Sequence, residues 1–231
     1  MARKSTAKKR RRTAPELPPG TTPRQKIIAA FMDLLAEKRF EDIDLAEIAA
    51  AADVTLADLR EEFDGKLSIL SAHLKQIDRA VLAGGSEEMA EESPRERLFD
   101  VLMRRIDAMT PYRAAIDSLM RSARRHPSLA LALNGLAVRS QQWMLTAAGI
   151  SAAGPKGILR AQGLALMFAG VVRTFVDDDD DNSRTMAALD RALESGQRWS
   201  GILDDMCRLV PRPGRRRRRR RYEEEDDMEA A

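Results

Sequence analysis

The chain has 231 residues, of which 44% are hydrophobic, 32% charged and 4% aromatic, with one cysteine and a formal net charge of +3; this is the balance of a soluble globular fold, not of a collagen, mucin or disulfide scaffold. Cys207 alone makes neither an intramolecular disulfide nor a thiolate cluster, and His73 and His126 stand far apart, so zinc chemistry and Cys/His catalysis fall away and no metal or cofactor is expected. No apolar run approaches the roughly 18 residues of a spanning helix, and no apolar segment follows the basic N-terminus, so a cytoplasmic protein without stable membrane insertion is expected.

Charge divides the chain into three parts. Residues 1–22 carry net +6, residues 210–231 net +2, and residues 23–209 between them net −5. In the first part Lys8, Lys9, Arg10, Arg11 and Arg12 precede Pro15, Pro18, Pro19 and Gly20. Without apolar periodicity to offset the entropy of ordering, this reads as a disordered basic arm, with Arg10, Arg11 and Arg12 as candidate nucleic-acid contacts.

From Pro23 the apolar period is helical, and strand signals are missing, so the fold class is all-α. A first helix starts at Pro23 with Thr22 as N-cap and sets Ile27, Ile28, Phe31, Leu34 and Leu35 on one face. A second, short one follows Asp44, with Glu47 at capping-box spacing. After Asp53-Val54, Thr55 caps a third that ends near Phe63, and Asp64-Gly65 separates it from a fourth carrying Leu67, Leu70, Leu74, Ile77 and Val81. Two short helices joined by a tight turn and braced by longer ones form a helix-turn-helix domain, assigned to residues 23–83.

The residues from Arg24 to Leu70 resemble the N-terminal domain of the TetR family of transcriptional regulators. The resemblance rests on Ile27, Ala29-Ala30, Leu34, Phe40, Ile48-Ala49, Ala52-Asp53-Val54-Thr55, Leu59, Phe63, Gly65-Lys66 and Leu70. It implies an all-α homodimer on double-stranded DNA, a three-helix head whose third helix enters the major groove, and a larger helical ligand-binding and dimerisation domain. It also implies phosphate contacts for Lys66, at the start of the fourth helix, and for Arg24, at the start of the first. Thr55, Leu56 and Arg60 are the groove-facing candidates, Arg60 for guanine or phosphate. Two departures stand out. Asp53 occupies the turn position where the family has glycine, and acids outnumber Lys and Arg across residues 23–83, although phosphate neutralisation supplies most non-specific DNA affinity. The competing reading of Arg60 and Lys66 is as helix charges that pair with Glu61, Glu62 and Asp64.

Residues 84–92 read as a hinge and 93–209 as the second domain. Ser93-Pro94-Arg95-Glu96 is an N-cap, a proline at the first helical position and a glutamate at the third, followed by Leu98, Val101, Leu102, Ile106 and Met109 on one face. Thr110-Pro111 and Pro127 open further helices, the latter running to Gly149. Lys156 to Val176 is the most hydrophobic and should be buried on more than one side. Ser183 opens the last, to about Met206, after the acidic run Asp177 to Asp181, read as a solvated loop. Met103, Ile106, Leu119, Met120, Leu136, Trp143, Met144, Met167 and Phe168 are candidate walls of a pocket for an apolar small molecule, with plain core as the alternative. The last two helices are dimerisation candidates on the TetR resemblance. The tail 210–231, with seven arginines from Arg215 to Arg221 against five acids from Glu223 to Asp227, reads as disordered.

A second, looser resemblance covers the C-terminal part. Gln142-Trp143, Leu159-Arg160, Leu164, Val172, Phe175, Asp177 to Asp181, Thr185, Leu189-Asp190 and Leu193 are similar to the ubiquinone-biosynthesis accessory family, which has a TetR-like fold and binds isoprenoid lipid instead of DNA. No glycine-rich phosphate loop, nucleophile elbow or HExxH motif is present, so an enzyme is not expected. The leading expectation is a ligand-responsive TetR-like repressor, cytoplasmic and on the bacterial nucleoid when bound to DNA. The alternative is a lipid-binding accessory protein on the same fold.

Overall fold

The computed structural model describes residues 22–85, 89, 91–179 and 181–209, with 197–209 described as backbone. Arg10, Arg11 and Arg12 of the basic arm and the arginine-rich tail lie outside the described residues. The chain divides into two compact units, one ending at Asp190 and one beginning at Arg191.

The described residues are helical throughout, without a strand. α1 spans Pro23–Glu37, α2 Leu45–Ala51, α3 Leu56–Glu62, α4 Lys66–Ala83, α5 Pro94–Met109, α6 Arg113–Arg125, α7 Pro127–Ala147, α8 Gly154–Val176 and α9 Ser183–Leu209. Local chemistry sets most starts. Thr22 Oγ1 accepts the Gln25 N–H at 3.3 Å while Gln25 Oε1 accepts the Thr22 N–H at 3.0 Å, and Pro23, which has no N–H, takes the first helical position. The same reciprocal pair joins Ser93 to Glu96 ahead of α5. Asp44 caps α2 by accepting the Glu47 N–H at 2.7 Å, but Glu47 does not reciprocate, because its carboxylate pairs with Lys38.

Ile27, Phe31 and Leu35 of α1 meet Ile43, Ile48 of α2, Leu59 of α3 and Ile69 of α4, all at most 2% exposed. Replacing a buried phenylalanine such as Phe31 by alanine costs about 3–5 kcal/mol. Ala115 of α6 and Leu136 of α7 belong to the same core, so the head is packed onto the helices that follow it. Polar contacts agree: Ser118 Oγ donates to the Lys38 carbonyl at 2.6 Å and Ser122 Oγ accepts the Phe40 N–H at 3.2 Å.

The apolar face expected of α5 is buried at each named position, Leu98, Val101, Leu102, Ile106 and Met109. α7 and α8 pack side by side and exchange a two-way amide bond, Asn134 with Gln162, at 3.0 and 3.1 Å. α8 departs from expectation. It buries Ala161, Leu164, Phe168, Val172 and Phe175 on one face but leaves Ile158, Leu159 and Leu166 more than half exposed, so among the described residues it is a one-sided helix. By length and composition alone α8 is long and apolar enough to cross a bilayer, although its buried face packs as a core helix does.

In the acidic run between α8 and α9, Asp177, Asp179 and Asp181 are exposed, as expected of a solvated loop, and Asp178 is the exception. Asp178 is 8% exposed, and its Oδ2 accepts both the N–H and the hydroxyl of Thr185 at 2.7 Å, capping α9. Burial pushes this carboxyl's pKa up, but the hydrogen bonds from Thr185 and from the Asp179 N–H outweigh it and leave the pKa below the ordinary value. Arg113 of α6 donates to the Asp178 carbonyl and to Asn182 Oδ1, the latter at 2.8 Å, which fastens the corner from below. In the second unit, the rest of α9 continues as one helix to Leu209.

Candidate nucleic-acid interface

α2 ends in a hydrogen-bond pattern that turns the chain sharply. The Val54 N–H reaches back to the Ala49 carbonyl at 3.0 Å and the Asp53 N–H to the Ala50 carbonyl at 3.3 Å, with Asp53 at φ 54°. This is a Schellman cap, and its left-handed residue is one that glycine would occupy at lower cost. Two residues later Thr55 and Asp58 close a capping box at 2.9 and 3.1 Å, so α3 is fixed at its start by its own side chains. The hydrogen bonds from Thr55 hold the Asp58 carboxyl below its usual pKa. Only Leu59 of α3 is buried; Leu56, Ala57, Asp58, Arg60 and Glu61 face solvent.

These features place the sequence candidates. Thr55 is the cap and Leu56, 55% exposed, projects from the first turn of α3. Arg60 stands on the exposed side in an ion pair with Asp64 at 2.7 Å; both side chains are at least 70% exposed, which makes the pair weak and easily exchanged for another anion. Arg24 donates to the carbonyl and carboxylate of Glu62 at 3.0 and 3.1 Å and lies 4.3 Å from the centre of the Phe63 ring, so it joins the start of α1 to the end of α3.

Lys66 has a different set of partners from the phosphate that the resemblance implies. Its ammonium donates to the carbonyls of Phe40 and Ile43, both at 2.7 Å, and sits 4.6 Å from the centre of the Phe40 ring. Burial lowers its pKa against the opposing pull of Glu41, Asp42 and Asp44. The side chain is thereby committed to the turn at Phe40–Asp42, which sequence reasoning did not foresee. Just before it, Gly65 adopts φ 155°, a backbone that side chains other than glycine resist, and its N–H bonds Ser68 Oγ at 3.1 Å.

The pocket candidates are not assembled into one wall. Ile106, Leu136, Met144 and Phe168 are buried, Met103, Leu119, Met120 and Met167 are half-buried, and Trp143 is 59% exposed on the outer side of α7. Trp143 is therefore not a pocket wall in this conformation: hydrophobic character raised the expectation, but its register on α7 turns it to solvent.

A buried polar cluster, missed in the sequence, lies where α4, α5 and α7 meet. Arg105 donates to Asp78, whose Oδ1 also accepts Ser140 Oγ at 2.7 Å. His73, 5% exposed, stacks edge-on against Tyr112 with ring centres 4.3 Å apart. Burial, aided by the Arg105 charge, drives its pKa down to about 4, so it is neutral. The signal that could have found the cluster is weak: Asp78 and Arg105 are charges on otherwise apolar helix faces.

No protein-family model matches the chain, and no curated protein matches it. Solved structures do. The chain is similar to a TetR transcriptional regulator from Nitrosomonas europaea ATCC 19718, with a TM-score of 0.59 and 22% identity over 76% of this chain and 98% of that one. It is similar to a TetR transcriptional regulator from Rhodococcus sp. RHA1, with a TM-score of 0.51 and 22% identity over 74% and 94% of the two chains. The fold is that of the TetR regulators. Within this fold α2 and α3 are two short helices joined by the turn at Asp53.

Proposed function

We propose that this chain is a DNA-binding transcriptional regulator that acts as a homodimer and releases its operator when it binds a small molecule. The observation that carries this reading is the two-helix unit of α2 and α3, in which the turn and the cap are fixed by local hydrogen bonds while the outer face of α3 is left open. A helix held in this way fits the major groove, which is wide enough to admit one α-helix. Thr55, Leu56 and Arg60 would face base edges and phosphates, Arg24 a phosphate after exchanging Glu62 for it, and Arg10, Arg11 and Arg12 the backbone beside the head.

The exposed stripe Leu159, Leu166 and Ile158 on α8 supports a dimer in which α8 and α9 pair with their copies, since an apolar helix face left in water is stabilised by burial. Two heads so joined would read half-sites one helical turn apart, about 34 Å. Release would follow from a shift of α4, which carries the head at one end and, through Asp78, is anchored to Arg105 and Ser140 at the other. An apolar effector near Ile106, Met144 and Phe168 would enter by moving methionines, which repack readily. No catalytic step is proposed.

The test is selection of genomic DNA by the full-length protein at about 150 mM salt, where weak electrostatic binding is suppressed. Enrichment of one palindromic site, weakened by Arg60→Ala, is the expected result. Binding without sequence preference would overturn it. The acidic character of the head favours a second reading, a lipid-binding accessory protein on the same fold; co-purification of an isoprenoid lipid together with absent sequence preference would establish that one instead.

A further inference from the structure

α4 and α7 run alongside each other, with the Ser140 hydroxyl on Asp78 fixing their register near one end. Between them lies a cleft of about 630 Å³, within the size range of small-molecule sites, roughly 300–1,000 Å³. Its two walls repeat the same sequence of chemistry at one-turn intervals. On α4 the lining positions are Leu67, Ser71 and Lys75; on α7 they are Leu131, Gly135 and Arg139.

One end of the cleft therefore combines Leu67 and Leu131 with the ion-paired Arg24, Glu62 and Asp64, and the other end carries Lys75 and Arg139. Leu67 is 41% and Leu131 72% exposed, unusual for leucines that face each other. Lys75 and Arg139 make no salt bridge or side-chain hydrogen bond among the described residues. The acids that line the cleft, Glu62 and Asp64, stand near its leucine end and are already paired with Arg24 and Arg60. With these acids paired, Lys75 and Arg139 are the cations of the lining that lack an acid partner among the described residues, which favours one orientation of an anion. Midway, a Cβ added to Gly135 would meet no atom within 4 Å, so the floor is open there.

We propose that this cleft binds a medium-chain carboxylate, with the carboxylate between Lys75 and Arg139 and the hydrocarbon laid toward Leu67 and Leu131. Two helical turns separate the cationic from the apolar end, about 12 Å, which is the length of a chain of about ten carbons. The site is separate from the Ile106, Met144 and Phe168 region, and its sense as an effector site rests on the regulator reading above. Occupancy would press on α4 and on Arg24, both of which hold the head.

Isothermal titration of the full-length protein with decanoate, in the absence of DNA, tests this directly. Saturable binding of one decanoate per chain is expected, with decylamine failing to bind. Lys75→Ala with Arg139→Ala should weaken decanoate at least tenfold. Gly135→Leu, which fills the floor while improving helix propensity, should abolish binding with a melting temperature that does not fall. Absence of binding, equal binding of decylamine, or wild-type affinity in both variants would each overturn the proposal. Because no DNA is present, these outcomes are independent of whether the protein recognises an operator. Loss of operator affinity on adding decanoate would then show the coupling.

Discussion

Lys66 separates two accounts of the head that a DNA-binding assay alone would confuse. In the structure its ammonium holds the carbonyls of Phe40 and Ile43 at 2.7 Å each, whereas a phosphate contact would leave the folded state indifferent to its loss. Hydrogen bonds to charged groups contribute about 1.5–3 kcal/mol apiece, so two of them set an upper bound near 6 kcal/mol. The lowered pKa indicates that burial of the charge offsets part of this, and water can reach the half-buried carbonyls in a variant, so about 2 kcal/mol is the expected loss for Lys66→Met. For a chain of this size that corresponds to a fall of about 4–8 °C in melting temperature. Differential scanning calorimetry on the full-length protein measures it, with Lys66→Arg as a partial rescue. In parallel, the slope of log affinity against log salt on duplex DNA should be unchanged, whereas loss of one phosphate contact lowers it by about 0.9. An unchanged melting temperature together with a slope reduced by about one would refute the structural role of Lys66.

The neutral state of His73 has a sign that can be checked. With a folded pKa of about 4 against 6.5 unfolded, the unfolded chain takes up a proton that the folded chain refuses, so stability falls as pH drops from 6.5 to 4. The loss should total about 3 kcal/mol in urea titrations and be absent from the His73→Phe variant. Asp53→Gly should raise stability by up to about 1 kcal/mol by relieving the left-handed backbone, and Asp53→Val should lower it by about 1–2 kcal/mol, in the same titrations; a stabilising valine would contradict the Schellman geometry. Arg105→Met leaves Asp78 buried without its cation and should cost about 3–5 kcal/mol, far more than a surface arginine such as Arg60. If α8 pairs with its copy as proposed, the wild type should run as a dimer in light scattering and Leu166→Asp as a folded monomer; a monomeric wild type would refute the pairing.

What could be read from the sequence was local. The starts at Thr22, Thr55 and Ser93 rest on residues three apart, and the left-handed turn at Asp53 on two neighbouring helices, so one-dimensional spacing carries them. The burial of Ile27, Phe31 and Leu59 follows from helical period. What spacing did not show depends on partners distant in the chain: Lys66 on carbonyls 23 and 26 positions back, and Asp178 on Thr185 of α9. The family resemblance suggested a phosphate contact for the one, and charge pattern a solvated loop for the other. Trp143 and α8 show the limit of hydrophobicity as a guide. It measures what a side chain prefers, not which surface covers it, and α8 keeps apolar residues on a side that is exposed among the described residues.

The hydrogen bonds that bound α3 have a consequence for how specificity could change. Its entry is fixed by a turn inside α2 and by Thr55 with Asp58, its single anchor is Leu59, and its exit is held by Arg24 on the main chain of Glu62. Leu56, Ala57, Arg60 and Glu61 take no part in any of these. All four can therefore be substituted with the scaffold's stability left almost untouched, and under the proposed function they are the positions at which operator preference would change.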